Sequence, residues 1–154
     1  MLDFTVSLNG DETDVAEMHS GARGAVRVGF PAEFGGQPDV WCAERLLVGS
    51  VVSCLMTSFR YCLRRYRGEA HTYMSAGMAT LGKTQNGLRI TSVKVTTVVG
   101  VDGNANLNAA HKATLEAQKT CPISHSLACP VNVTWEVNDT PRQNTAKDAC
   151  NANP

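Results

Sequence analysis

Residues 3 to 8 alternate, with Phe4, Val6 and Leu8 on one side, and predict a short strand that the Asn9-Gly10 pair ends in a tight turn. A second extended stretch is expected over Asp14 to His19. Val26, Val28 and Phe30 alternate as a third strand that Pro31 ends. The segment from Phe34 to Asp39 holds Gly35, Gly36 and Pro38, the residue types that turns require. From about Val40 to Arg67 the period changes from two to about 3.6, as Leu47, Val51, Cys54, Leu55, Ser58 and Cys62 recur at helical spacing. Asp39 is the expected N-cap of this long, mostly apolar helix, and Gly68 its expected C-cap residue. Arg64, Arg65 and Arg67 suit the negative end of its dipole.

Tyr73 to Leu81 and Leu88 to Val99 read as two strands of a hairpin joined across residues 83–87, where Asn86-Gly87 supplies the turn signal. Asn108 to Lys119 predicts a second helix. Cys121-Pro122 starts a short third one, since proline is favoured at the first helical position. Val131, Val133, Trp135 and Val137 alternate as a last strand, and residues 139–154 are polar, Asn-rich and expected to form a mobile tail. The order β-β-β-α-β-β-α-α-β is that of an α+β domain of antiparallel hairpins around one long central helix, a single domain over residues 1–138.

Composition narrows what such a domain does. Lys+Arg 14 balance Asp+Glu 14, giving zero formal net charge, and only 18% of the 154 residues are charged. That leaves no electrostatic footprint for nucleic acid or anionic lipid, and a near-zero charge favours self-association. The longest apolar stretch, Leu46 to Met56, is expected to be too short to span a bilayer. The first residues carry no basic and apolar signal pattern, so a cytoplasmic protein is expected.

Six cysteines, at positions 42, 54, 62, 121, 129 and 150, then become the candidate chemistry. None forms a CxxC pair, and with His19, His71, His111 and His125 they match no zinc-finger or ribbon spacing, so no metal is expected. Ser50 lacks the second glycine of a nucleophile elbow, and Gly35-Gly36 lacks the Lys-Ser/Thr of a phosphate loop. The four arginines between Arg60 and Arg67 read as a solvated helix end. Cys54, in the middle of the long helix, has the ordinary reading of a core thiol. Cys121 precedes a proline at a helix start, where unpaired N–H groups favour a thiolate.

Read together, Pro31 to Gly36, then Trp41, Cys42, Glu44, Leu46 and Leu47, then Cys54, and finally Cys121-Pro122-Ile123-Ser124 with the closing strand resemble the OsmC/Ohr family of thiol-dependent peroxidases. The resemblance covers roughly residues 20 to 137 and implies an intertwined homodimer with active sites at the subunit interface. It implies that Cys54 is the peroxidatic thiolate that reduces an apolar organic hydroperoxide. Cys121 would resolve the resulting sulfenic acid to a disulfide, which an external dithiol reduces without a cofactor. It also implies that Glu44 holds an arginine beside Cys54.

Two departures stand out. Glu33 occupies the position of the family's loop arginine, and Ala43 that of a proline before the glutamate. Arg23 and Arg27 are the candidate substitutes. Ten helical residues rise about 15 Å, so Glu44 does not touch Cys54 of its own helix and meets one only through a bridging side chain or from a second chain. Cys62 and Cys129 are expected to pack, and Cys42, beside Glu44, to be partly exposed. An alternative reading is a non-peroxidatic module of the same family that binds an apolar small molecule at the dimer interface; a different thiol reaction at the same cysteine pair is a third.

Overall fold

A computed structural model describes residues 1–141. The tail expected over residues 139–154 falls mostly outside the described residues, except that its first residue, Asp139, closes the last strand. The chain forms two compact units, residues 1–50 and residues 51 onward.

The first unit holds an antiparallel sheet of β1 (Ser7–Gly10), β2 (Val15–His19) and β3 (Val26–Gly29), in that order. Asn9 and Gly10, expected to turn the chain, lie inside β1 opposite Glu17 and Ala16. The turn comes later because the Asp11 carboxylate accepts the Thr13 N–H at 2.8 Å, an Asx turn that competes with the Asn-Gly signal. After β3 a 3-10 turn, Ala32–Phe34, closes on Gly35 at φ 85°, a left-handed conformation that glycine adopts freely.

The long helix α1 spans Ala43–Arg65, starting four residues after the expected cap Asp39. Its N-terminal extension is unavailable because the Trp41 backbone is held by β3: Trp41 N–H donates to Arg27 and its carbonyl accepts from Gly29. Asp39 pairs instead with the Arg27 guanidinium at 3.2 Å. At the other end the left-handed residue is Arg67, φ 55°, not Gly68. Arg67 N–H bonds Arg64 and Gly68 N–H bonds Leu63, the paired pattern of a Schellman ending. Glycine is required at 68 for another reason: a Cβ there would run into Ala109 and Leu63.

The second unit contains the rest of α1, the hairpin β4 (Thr72–Thr84) and β5 (Gly87–Val101), α2 (Asn104–Thr120), α3 (Pro122–Ser126) and β6 (Val131–Asp139). Gln85 and Asn86 alone make the hairpin turn, with Gly87 at φ 92°, so both strands run longer than expected. The order is β4-β5-β6, and β6 joins β5 in parallel. The two early hairpins and β4-β5 are antiparallel as expected. The last strand is parallel because a helical crossover, α2 and α3, returns the chain before it pairs. Helix α2 starts four residues before the expected Asn108, since Asn104, Ala105 and Asn106 carry no apolar period.

The core of this unit is where Phe59, Cys62 and Leu63 of α1 meet Val99 and Val101 of β5 and a strip of small residues on α2, Ala109, Ala110, Ala113 and Ala117. Alanines let the helix lie close to the sheet. Phe59, Tyr73 and Trp135 stack around this core, with ring centroids 5.5–6.3 Å apart. Helix α1 as a whole is long and apolar enough to cross a membrane, with a mean hydropathy of 1.6 over its most apolar stretch. The sequence expectation that the apolar run is too short overlooked Phe59, Tyr61, Cys62 and Leu63 beyond Met56. Within the protein, Val51, Leu55, Phe59, Cys62 and Leu63 form its buried stripe.

Candidate functional site

Pro122 dictates the local geometry of the site. Proline lacks the N–H that would continue α2, and its ring pushes the preceding residue out of the helical region. Cys121 accordingly takes an extended backbone, φ −75° and ψ 103°, at the joint between α2 and α3. Its side chain is fully buried, and its thiol interacts directly with that of Cys54 from the middle of α1. The two cysteines, 67 positions apart in sequence, are neighbours in space.

The first turn of a helix leaves backbone N–H groups without intrahelical partners. One of these, on Ile123, points at the Cys54 sulfur. The Ser58 hydroxyl, one helical turn beyond Cys54, adds a second donor. On the other side of the pair, the Ser124 hydroxyl donates to Cys121 Sγ at 3.1 Å. Burial pushes the Cys54 thiol above its ordinary pKa, and the neighbouring Cys121 pushes the same way; the Ile123 N–H and Ser58 hydroxyl partly offset them. The donors acting on this sulfur are neutral groups.

Nearby, Tyr73 Oη and Trp135 Nε1 are buried without a bonded partner among the described residues. The Tyr73 hydroxyl lies beside the Ser75–Thr97 pair, whose oxygens are 2.9 Å apart, but outside bonding geometry. Burial raises its pKa.

The remaining sequence candidates lie in the first unit. Glu44 is half-buried in the first turn of α1, and because the helix is unbroken it stands about 15 Å along the axis from Cys54 of the same chain. Arg23 is an exposed turn residue. The Arg27 guanidinium is engaged by Asp39 at 3.2 Å and Gln37 at 3.3 Å. Glu33, standing where the family resemblance calls for an arginine, is held by Arg45 at 3.2 Å. An ion pair therefore joins this loop to the first turn of α1. Arg45 escaped the sequence reading, although its position directly after Glu44 was the available signal.

Arg45 also reaches Cys42 Sγ at 3.9 Å, and Cys42 is buried, against the expectation of partial exposure. Cys62 packs in the core as expected, and Cys129 is half-buried. Among the described residues, no group of three or more His, Cys, Asp or Glu is placed to hold a metal ion. The first unit also contains an apolar cavity of about 620 Å³ walled by Leu8, Met18, Val28, Phe30 and Leu46, with Glu44 and Asp14 as its acidic members.

Fold and site thus define an α+β protein with two small sheets and a contacting pair of free thiols. The OsmC-like protein family model matches residues 36–136, and the chain belongs to that family. Among solved structures it resembles an OsmC-like protein of Vibrio cholerae (TM-score 0.80, 16% identity, covering 88% of this chain and 100% of that one). It also resembles an organic hydroperoxide resistance protein of Elizabethkingia anophelis (TM-score 0.70, 15% identity, 91% and 98% covered). A third is an organic hydroperoxide resistance protein of Bacillus subtilis (TM-score 0.59, 19% identity, 89% and 98% covered). At these identities the likeness is one of fold. No curated protein matches the chain.

Proposed function

We propose that this protein is a thiol-dependent peroxidase that reduces organic hydroperoxides through Cys54 and Cys121. The observation that carries this reading is the contact between a half-buried thiol, which a substrate can reach, and a fully buried one, which it cannot. That asymmetry suits a division between attacking the peroxide and resolving the product.

In the proposed cycle the Cys54 thiolate attacks the terminal peroxide oxygen, the O–O bond breaks, and the alkoxide leaves as alcohol after taking a proton. Cys54 is then a sulfenic acid, reversible because a second thiol lies against it. Cys121 forms the disulfide with loss of water, and an external dithiol restores both thiols in a cytoplasmic setting. No resident cofactor or metal enters this scheme. The Ile123 N–H and Ser58 hydroxyl stabilise the thiolate from within the chain. Since Glu44 is too far along α1 to reach its own Cys54, we place it in the site of a second chain, in a homodimer with two composite sites. Arg23, Arg27 and the Glu33-bound Arg45 are the arginines available to such a site.

The test is stoichiometric. Reduced protein treated with one equivalent of cumene hydroperoxide is expected to show a Cys54–Cys121 disulfide by mass spectrometry, and Cys54→Ser is expected to abolish peroxide consumption. A Cys54 that stays reduced sinks the proposal. The 620 Å³ apolar cavity supports a second reading, a binding module for an apolar small molecule; it predicts saturable ligand binding that Cys54→Ser leaves intact.

A further inference from the structure

Cys121 is fully buried, so bulk water does not solvate the thiolate it becomes when it attacks or leaves a disulfide. Among the described residues, the side chain bonded to its sulfur besides Cys54 is Ser124. Five other helical hydroxyls in this chain behave differently. Ser50, Thr57, Thr114, Thr120 and Ser126 each donate to a backbone carbonyl three or four residues earlier, the usual sink for such groups. Ser124, like Ser58 beside Cys54, instead turns its hydroxyl onto sulfur.

We propose that Ser124 is a positioning residue that makes Cys121 both the attacking sulfur when the disulfide forms and the leaving sulfur when it breaks. The inference rests on the Cys54–Cys121 pairing of the proposed function. In the forward step the Cys121 sulfur bonds the Cys54 sulfur and the S–O bond of the sulfenic acid breaks. The thiol proton and the departing hydroxide leave together as water. In the return step a thiolate of an external dithiol bonds the Cys54 sulfur, which is the more accessible member of the pair. The S–S bond breaks, and its electron pair goes to Cys121, whose thiolate accepts the Ser124 O–H. The dithiol's second thiol then releases Cys54, so the dithiol ends oxidised and both cysteines reduced. A better-stabilised leaving thiolate departs faster, so Ser124 directs the incoming thiol to Cys54.

The test needs no peroxide. Diamide is used to close the disulfide in the full chain, and the rate at which dithiothreitol reopens it is measured at fixed pH. Ser124→Ala is expected to slow reopening about tenfold, the scale of a hydrogen bond to a charged group. Ser124→Thr keeps the hydroxyl and is expected to reopen within about twofold of the parent; the cavity of about 230 Å³ beside Ser124, shared with Gln118 and His125, has room for its methyl. Urea midpoints for both variants show whether folding is intact. With cumene hydroperoxide, the sulfenic acid trapped by dimedone at Cys54 is expected to live about tenfold longer in Ser124→Ala. Reopening at the parental rate in Ser124→Ala, or equal slowing in a folded Ser124→Thr, overturns the inference, as does failure of diamide to join the two cysteines. A parent Cys54 that stays reduced under cumene hydroperoxide, forming neither sulfenic acid nor disulfide, overturns the peroxidase reading alone and leaves the diamide comparison standing.

Discussion

Cys54 is a nucleophile candidate in surroundings that hold it protonated. Burial is the largest cause, and the Ile123 N–H and Ser58 hydroxyl work against it without cancelling it. Its reactivity is therefore expected to rise with pH along a curve whose midpoint lies above that of an ordinary thiol, read by the pH dependence of its alkylation with iodoacetamide. The linkage has a definite sign. A thiol whose folded pKa is raised contributes its full stability below the unfolded value. That contribution is lost as pH climbs through the folded value, so the urea midpoint is expected to fall at alkaline pH, and less so in Cys54→Ser. Ser58→Ala removes one donor and is expected to slow alkylation about fivefold at fixed pH, the scale of one ordinary hydrogen bond; an unchanged rate means that the hydroxyl does not act on the sulfur. The two cysteines were visible in the sequence because each sits in a recognisable local pattern. Ser124 and Ile123 were not legible as sulfur donors, since that role depends on the angle at which α3 leaves α2. Glu33 read as a missing positive charge, and only the fold shows that it pairs with Arg45.

At the scale of elements, periodicity located the nine principal strands and helices, and two boundary errors fell where a backbone group had a competing partner. Helix α1 starts late because Trp41 is tied to β3, and β1 runs through its Asn-Gly pair because Asp11 makes the turn. The parallel pairing of β6 is invisible to alternation alone, which reports a strand but not its direction. The element boundary that matters most is the break between α2 and α3. Pro122 both stops α2 and frees the Ile123 N–H that Cys54 uses. With Pro122→Ala the extended bias on Cys121 is removed and the two helices are free to merge. Disulfide closure by diamide is expected to slow by about tenfold or more, because misplacing a reacting group by an ångström costs more than that. Helical signal in circular dichroism should rise slightly. Closure at the parental rate would show that the surrounding core, not the proline, holds Cys121 in place.

At the scale of the whole molecule, the zero net charge takes on meaning beside the surface it accompanies. Phe4 and Phe30 in the first unit and Met74 and Leu115 in the second are each 60% exposed or more. Only 28% of the apolar window of α1 is buried within one chain. Such surface is what a second copy covers in a homodimer, and light scattering at micromolar concentration is expected to give twice the chain mass. Mass alone does not say whether the sites are composite, whereas mixing inactive subunits does. If Glu44 of one chain serves Cys54 of the other, Cys54→Ser and Glu44→Ala homodimers each lack peroxidase activity for different reasons. When the two variants are unfolded, mixed in equal amounts and refolded, half of the dimers are mixed. Each mixed dimer contains one site with both residues intact, so about a quarter of the parental activity is expected to return. If Glu44 acts within its own chain, every site in every dimer lacks one of the two residues and no activity returns. Recovery well below a quarter, in a mixture shown by native mass spectrometry to contain half mixed dimers, would place Glu44 outside the shared site.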